Sequence, residues 1–233
     1  MFAKEKMTVS ATKKETRDAA TLTLKSSKKM DFKPGQFLMI ELQAPEKFPK
    51  RAYSISSSPT KNETLQITVK EMPDGYVSKA LNNAKKGDEA LVDGPFGHFI
   101  FDPEKMGEIV LLAAGSGIAP FRCFMQYIVD KKLSTKVFFV YGCRTEEDLI
   151  FREELRGYAK KIPNCSLVFT LSREEKEGYR HGRIDESLLG EIVAKHPKAF
   201  YFICGPPAMV SSVKEILGNK GIEKERVKIE VYG

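Results

Sequence analysis

From residue 7 to residue 94 the apolar positions come in short runs with a period of two, the spacing that puts alternate side chains on opposite faces of a strand. MTVSATK (7–13), AATLTLKS (19–26), QFLMIELQ (36–43), RAYSISSS (51–58), LQITVKEM (65–72) and DEALVDG (88–94) are the predicted strands. Clusters of Gly, Pro, Asn and Asp separate them as KPGQ, APEKFPK, SPTKNE, KKGDE and DGPFG, and are the predicted turns. Six short strands at this spacing predict a closed or nearly closed β-barrel. After FDPEKMG (101–107) the rhythm changes. EIVLLAAG (108–115) is a continuous apolar strand, and APFRCFMQYIVDKK (119–132) is helical, with Phe121, Phe124, Met125 and Ile128 on one face. KVFFVYG, SLVFTLSRE, AFYFICG and RVKIEVYG read as further strands, alternating with helices over EEDLIFREELRGYAKK, DESLLGEIVAKH and PAMVSSVKEILGNKG. Apolar strands alternating with amphipathic helices predict a parallel sheet covered on both faces. The fold class expected is β + α/β, with a boundary near residues 102–107 and domains over 1–104 and 105–233.

Composition narrows the class without naming a function. The 233 residues are 42% hydrophobic and 30% charged, as expected of a folded globular chain. No apolar run approaches the ~20 residues that cross a bilayer, and MFAKEKMTVSATKKE has no apolar core of a secretory signal. A cytoplasmic protein is the expectation. Cys123, Cys143, Cys165 and Cys204 are far apart, and His98, His181 and His196 share no ligand spacing. Structural zinc and iron–sulfur sites are therefore not expected. The net charge of +7 is read as a solvated basic surface for most of these lysines, with attraction to an acidic partner or an anionic cofactor as the sharper alternative. The lysines are scattered and form no recognisable nucleic-acid module, so no nucleic acid is expected.

The chemistry begins in AAGSGIAPFR. Gly115, Ser116, Gly117 and Ile118 follow a strand and precede a helix, where glycine lets the backbone turn tightly and approach a ligand. Pro120 suits the first helical turn, and a helix N-terminus offers free N–H groups to a pyrophosphate. The pattern is GxGxxP, not the dinucleotide fingerprint, and a tight turn with no ligand is the plain alternative. The next strand ends in Cys143–Arg144, with no acid until Glu146, and the one after it ends in Ser172–Arg173. Two arginines and a hydroxyl at strand ends can hold a phosphate, or the arginines can pair with Glu146 and Glu174. Cys204, Gly205 and Pro206 in ICGPPAM lie just past a strand, where open α/β sheets place ligands.

Taken together, RAYS (51–54), GYVS (75–78), GSGIAPFR (115–122), YGCRT (141–145), LSRE (171–174), CGPPAM (204–209) and the terminal IEVYG resemble the ferredoxin–NADP reductase family, in its order and over nearly the whole chain. The resemblance implies an antiparallel FAD-binding barrel followed by an NADP-binding parallel sheet, with FMN and NAD as the alternative cofactors. It implies that Arg51, Ala52, Tyr53 and Ser54 meet the flavin: Arg51 at a phosphate, Tyr53 stacked on the ring, and Ser54 near N5. By the same resemblance Thr68, Val69 and Lys70 line the flavin, and Gly75, Tyr76, Val77 and Ser78 cradle its pyrophosphate. Tyr232 matches a C-terminal aromatic that covers the ring and Glu230 a nearby acid; Cys204, by its place at the crevice, is either a contact of the bound ring or a small buried apolar residue, and Ser54, Cys204, Glu230 and Tyr232 are the expected catalytic group. Gly233 after the aromatic departs from the family pattern. The activity implied is hydride exchange between NADPH and FAD and single-electron exchange with a separate acidic carrier such as ferredoxin or flavodoxin. The alternative is an NADH-using reductase subunit of an oxygenase, cytochrome or larger redox complex.

Overall fold

A computed structural model describes residues 4–42, 50–61 and 63–232. Most of the expected turn APEKFPK and the terminal Gly233 lie outside the described residues. Six strands, β1 (Glu5–Thr16), β2 (Ala19–Lys25), β3 (Phe37–Glu41), β4 (Lys50–Ser54), β5 (Thr64–Lys70) and β6 (Glu89–Phe96), form an antiparallel sheet in the order β4-β3-β6-β1-β2-β5. Their inward positions, including Met7, Leu22, Leu24, Leu38, Ile40, Ile67 and Val92, are buried in one core. A short helix, α1 (Tyr76–Asn82), adds Val77 and Leu81 to it.

The sheet closes just after β4. Ile55 bridges Ile67, and the Ser56 N–H donates to the Gln66 carbonyl at 2.7 Å. Continued along that register, Ser54 would face Thr68, Tyr53 would face Val69 and Ala52 would face Lys70, but β4 and β5 do not pair there. Beyond that bridge the facing edges of β4 and β5 leave a wedge in which they do not pair with each other, and the Ser54 backbone there meets the Tyr232 hydroxyl. The expected strand over 51–58 accordingly ends at Ser54.

The second half contains β7 (Glu108–Ala114), α2 (Ala119–Lys131), β8 (Lys136–Cys143), α3 (Arg152–Lys161), β9 (Cys165–Leu171), β10 (Arg180–His181), α4 (Glu186–Lys195), β11 (Phe200–Gly205), α5 (Pro207–Asn219) and β12 (Val227–Val231). The strands form a parallel sheet in the order β10-β9-β8-β7-β11-β12. One face packs on Phe121, Phe124, Met125, Ile128 and Leu155 of α2 and α3, the other on Leu188, Leu189, Ile192, Val210, Val213 and Leu217 of α4 and α5. That is the expected parallel sheet with helices on both faces.

The single helix expected over 146–161 is instead two pieces. Thr145 and Asp148 cap a short 3₁₀ turn, with Thr145 Oγ1 donating to Asp148 at 3.1 Å, and α3 starts only at Arg152. Leu149, Ile150 and Phe151 are all buried between them. A helix buries one stripe, so three consecutive buried apolar residues favour an extended connection. The two-residue β10, polar and exposed at His181, has no periodic signal to read.

Candidate functional site

Ser54 ends β4 and is buried. Its hydroxyl donates to Glu230 Oε2 at 2.8 Å across the domain crevice. The Tyr232 hydroxyl donates to Ser54 Oγ, and the Tyr232 N–H donates to the Gly205 carbonyl at 2.9 Å. Cys204 and Glu230 are directly paired on β11 and β12, with Sγ 4.0 Å from Glu230 Oε2. The four residues singled out as a catalytic group, three from one end of the chain and one from the barrel, therefore meet. Burial pushes the Glu230 carboxyl up to about 7, against a smaller lowering by the Ser54 hydrogen bond. Burial, with the Glu230 charge added, also raises the Cys204 thiol well above its ordinary range, so it stays protonated.

The strand–helix turn at Gly115–Ile118 abuts this group. Gly115 has φ +55 and open space around it, so its glycine serves conformation. Gly117 differs, because a Cβ there would lie 2.3 Å from the Cys204 carbonyl oxygen. Its small size lets the turn touch β11, so the close approach expected of a ligand is made by the protein's own strand. Tyr141, fully buried on β8, donates its hydroxyl to the Gly115 carbonyl at 3.0 Å and fixes the turn from below.

The wedge between β4 and β5 carries the other barrel residues. Arg51 and Ala52 are exposed, and Tyr53 is half-buried with its phenol pushed up to about 12 by burial. Thr68 exchanges hydrogen bonds with Thr21 and Ser56, Val69 sits in the barrel core, and Lys70 pairs with Asp18 at 3.2 Å. Ser78 Oγ is committed to the turn before α1, accepting from the Met72 N–H and donating to the Gly75 carbonyl, both at 3.0 Å. Gly75 makes room for that hydroxyl, Val77 is core, and Tyr76 is exposed. Side chains of this segment thus shape the turn.

Arg144 and Ser172–Arg173 lie on the same carboxyl edge, where the Ser172 N–H donates to the Cys143 carbonyl and the Arg173 N–H to the Arg144 carbonyl. Both arginines are exposed, and neither forms an ion pair among the described residues. The glutamates that could have taken them are engaged elsewhere. Glu146 binds Arg152, Lys176 and the Tyr179 hydroxyl, which holds its carboxyl at about 2, and Glu174 accepts from the Glu146 N–H. Arg144 follows β8, two strand spacings or about 10 Å from β11, and Arg173 follows β9, three spacings or about 14 Å from it.

One functional feature escaped the sequence reading. Arg122, Gln126 and Asp130 of α2, at i, i+4 and i+8, face the barrel segment Ser56–Thr60. Arg122 donates to the Ser56 carbonyl, Gln126 accepts from the Ser58 N–H, and Asp130 accepts from Thr60. The backbone of the serine run of RAYSISSSP therefore makes the seam between domains, while the Ser56, Ser57 and Ser58 hydroxyls bond within the barrel to Thr68, the Gln66 N–H and Thr60. A polar stripe opposite an apolar helix face was visible in the sequence, but an exposed face has the same pattern.

Two family models match the chain, an oxidoreductase FAD-binding domain over residues 6–101 and an oxidoreductase NAD-binding domain over residues 111–215. Barrel, sheet and crevice thus define a two-domain flavin- and nicotinamide-dependent oxidoreductase. The chain is 30% identical over 209 residues to ferredoxin–NADP reductase B of Sorangium cellulosum, covering 86% of this chain and 85% of that protein. On that likeness the chain belongs to the ferredoxin–NADP reductase family. It is also 31% identical over 207 residues to the glycine betaine monooxygenase reductase subunit of Chromohalobacter salexigens, covering 87% of this chain and 56% of that protein. The chain therefore spans little more than half the length of that relative. The crystal structure of the flavohem-like FAD/NAD-binding domain of nitric oxide dioxygenase from Vibrio cholerae O1 biovar El Tor shares the fold, with a TM-score of 0.89, 22% identity and 98% of both chains covered. Among the described residues no helix is long and apolar enough to cross a membrane, and no His, Cys, Asp and Glu cluster could hold a metal ion.

Proposed function

We propose that the protein passes a hydride between NADPH and FAD, and single electrons between FAD and a separate acidic carrier such as ferredoxin or flavodoxin. The observation that carries this reading is the hydrogen-bonded Tyr232–Ser54–Glu230 chain spanning the two domains at the mouth of the β4–β5 wedge. A flavin there supplies the conversion of a two-electron hydride into single electrons, and the protein supplies position and electrostatics. The residues present fit such a group. The facing edges of β4 and β5 do not pair with each other beyond Ile55–Ile67, the half-buried neutral phenol of Tyr53 offers a flat apolar face, and the exposed guanidinium of Arg51 suits a phosphate. Ala52, Thr68, Val69 and Lys70 border the wedge, and after Gly75, whose own N–H donates to the Met72 carbonyl, the first turn of α1 at Tyr76–Ser78 would offer backbone amides for the pyrophosphate.

On the other side, Gly115, Ser116, Gly117 and Ile118 with Cys204, Gly205 and Pro206 form the carboxyl-edge crevice for the nicotinamide half. Glu230, titrating near 7, can hold or release a proton at its carboxylate beside the Ser54 hydroxyl. Tyr232 closes the crevice against water until the nicotinamide enters. Arg144, Ser172 and Arg173 would take the 2′-phosphate, because neither guanidinium pairs with a carboxylate among the described residues.

Arg173→Ala is expected to raise the KM for NADPH by about tenfold or more and leave the KM for NADH within about twofold. Unchanged nucleotide preference would remove the 2′-phosphate assignment. Wild-type protein that takes up no FAD on reconstitution would sink the flavin reading itself. A second reading, an NADH-using reductase component of an oxygenase, is favoured by the likeness to the glycine betaine monooxygenase reductase subunit. Faster turnover with NADH than with NADPH by the wild type would favour it.

A further inference from the structure

Arg122 is a charged side chain buried between the domains, 8% exposed. From α2 of the nucleotide domain its Nη1 donates to the Ser56 carbonyl at 3.1 Å and to Gln66 Oε1 at 2.7 Å. Its Nε and Nη2 grip Glu154 Oε1 of α3 at 3.0 and 2.9 Å, and its guanidinium lies 4.6 Å from the Phe151 ring centre. Ser56 and Gln66 are the residues joined where the barrel closes. One side chain of the second domain therefore clamps the segment that ties the end of β4 to β5, immediately beside the wedge.

Both halves of the candidate site are tied to this clamp by short, stiff paths. On the barrel side Ser56 stands two residues after Ser54. On the sheet side α2 starts directly after the Gly115–Ile118 turn, and Gly117 of that turn touches the Cys204 backbone. Cys204 in turn pairs with Glu230 across β11 and β12. A shift of the guanidinium relative to Ser56 is therefore a shift of Ser54 relative to Glu230 and Tyr232. The fork geometry of Arg suits the task, since it holds three acceptors from three elements at once, which an ammonium on a flexible stem does not reproduce.

We infer that Arg122 is a positioning residue, which sets the separation of Ser54 from the Glu230–Tyr232 pair by clamping the barrel's closing seam to the nucleotide domain. The inference rests on the proposed site, but its test does not need bound flavin. The groups facing Glu230 are the Ser54 hydroxyl from β4, the Cys204 thiol from β11 and the Tyr232 hydroxyl beyond β12. Opening the crevice admits water and loosens the Ser54 hydrogen bond. Burial is the larger influence on this carboxyl and raises it, while the hydrogen bond lowers it, so the net movement is downward.

The experiment is a carbon-detected NMR titration of Glu230 in the flavin-free protein. Arg122→Met is expected to move the Glu230 midpoint down by about one unit or more. Gln66→Met, which removes one barrel partner and keeps the Glu154 pair, should move it the same way by less, and serves if Arg122→Met does not fold. Gln126→Leu, one turn along the same seam, should lower stability and leave the midpoint in place. An unmoved midpoint in Arg122→Met, or in Gln66→Met where the first variant does not fold, overturns the inference, as does an equal shift in Gln126→Leu. Failure of the wild type to take up FAD would sink the functional reading and leave the titration result standing.

Discussion

Glu230 is the residue on which the electrostatics of the site turn. Its carboxyl is raised from 4.5 to about 7, chiefly by burial. The folded state therefore binds more protons than the unfolded state between pH 4.5 and 7. The stability present below pH 4.5 is lost as pH rises through that window, and the loss is complete above it. The linkage amounts to about 3 kcal/mol. Glu230→Gln carries no such titration, so it should gain on the wild type as pH rises from 5 to 8, measured by urea denaturation of the flavin-free protein. Equal pH dependence in the two proteins would mean that the carboxyl is not buried. Ser54→Ala tests the opposite influence. It removes the lowering hydrogen bond with the crevice still closed, so the Glu230 midpoint should rise.

At the scale of elements, the two glycines of the strand–helix turn do different work, and substitution should separate them. Gly115→Ala meets open space and suffers only the left-handed conformation, a cost of about 1–2 kcal/mol. Gly117→Ala puts a carbon 2.3 Å from the Cys204 carbonyl oxygen, and backbone must move to admit it. Denaturant midpoints should therefore fall further for Gly117→Ala, with the Cys204 and Glu230 amide resonances displaced. Similar small losses in both would show that the turn does not press on β11. The sequence motif GxGxxP marked both glycines alike, because a motif records a residue type and not which neighbour excludes a side chain.

Across the whole molecule, the charge of +7 gives the proposed carrier interaction a direct check. Attraction between a basic reductase and an acidic carrier is screened by salt. The second-order rate of carrier reduction should drop by about tenfold or more as ionic strength rises from about 0.01 M to about 0.3 M. A flat salt profile would mean that the carrier does not read charge.

The sequence by itself determined the two rhythms, and with them the barrel, the sheet and its helical cover, because the period of apolar positions reports which faces are buried. It also carried the identity of the residues that meet in the crevice, since RAYS, CGPPAM and IEVYG are local strings. Tertiary structure alone decided what those strings touch. Ser54 and Glu230 are 176 positions apart and share a hydrogen bond only because α2 docks the sheet on the barrel. The backbone of Ser56 and Ser58 holds that dock through Arg122 and Gln126. The arginines of YGCRT and LSRE were ambiguous until Glu146 was seen bound to Arg152 and Lys176. A polar side chain has several partners within its chemistry, and only the packing of distant segments chooses among them.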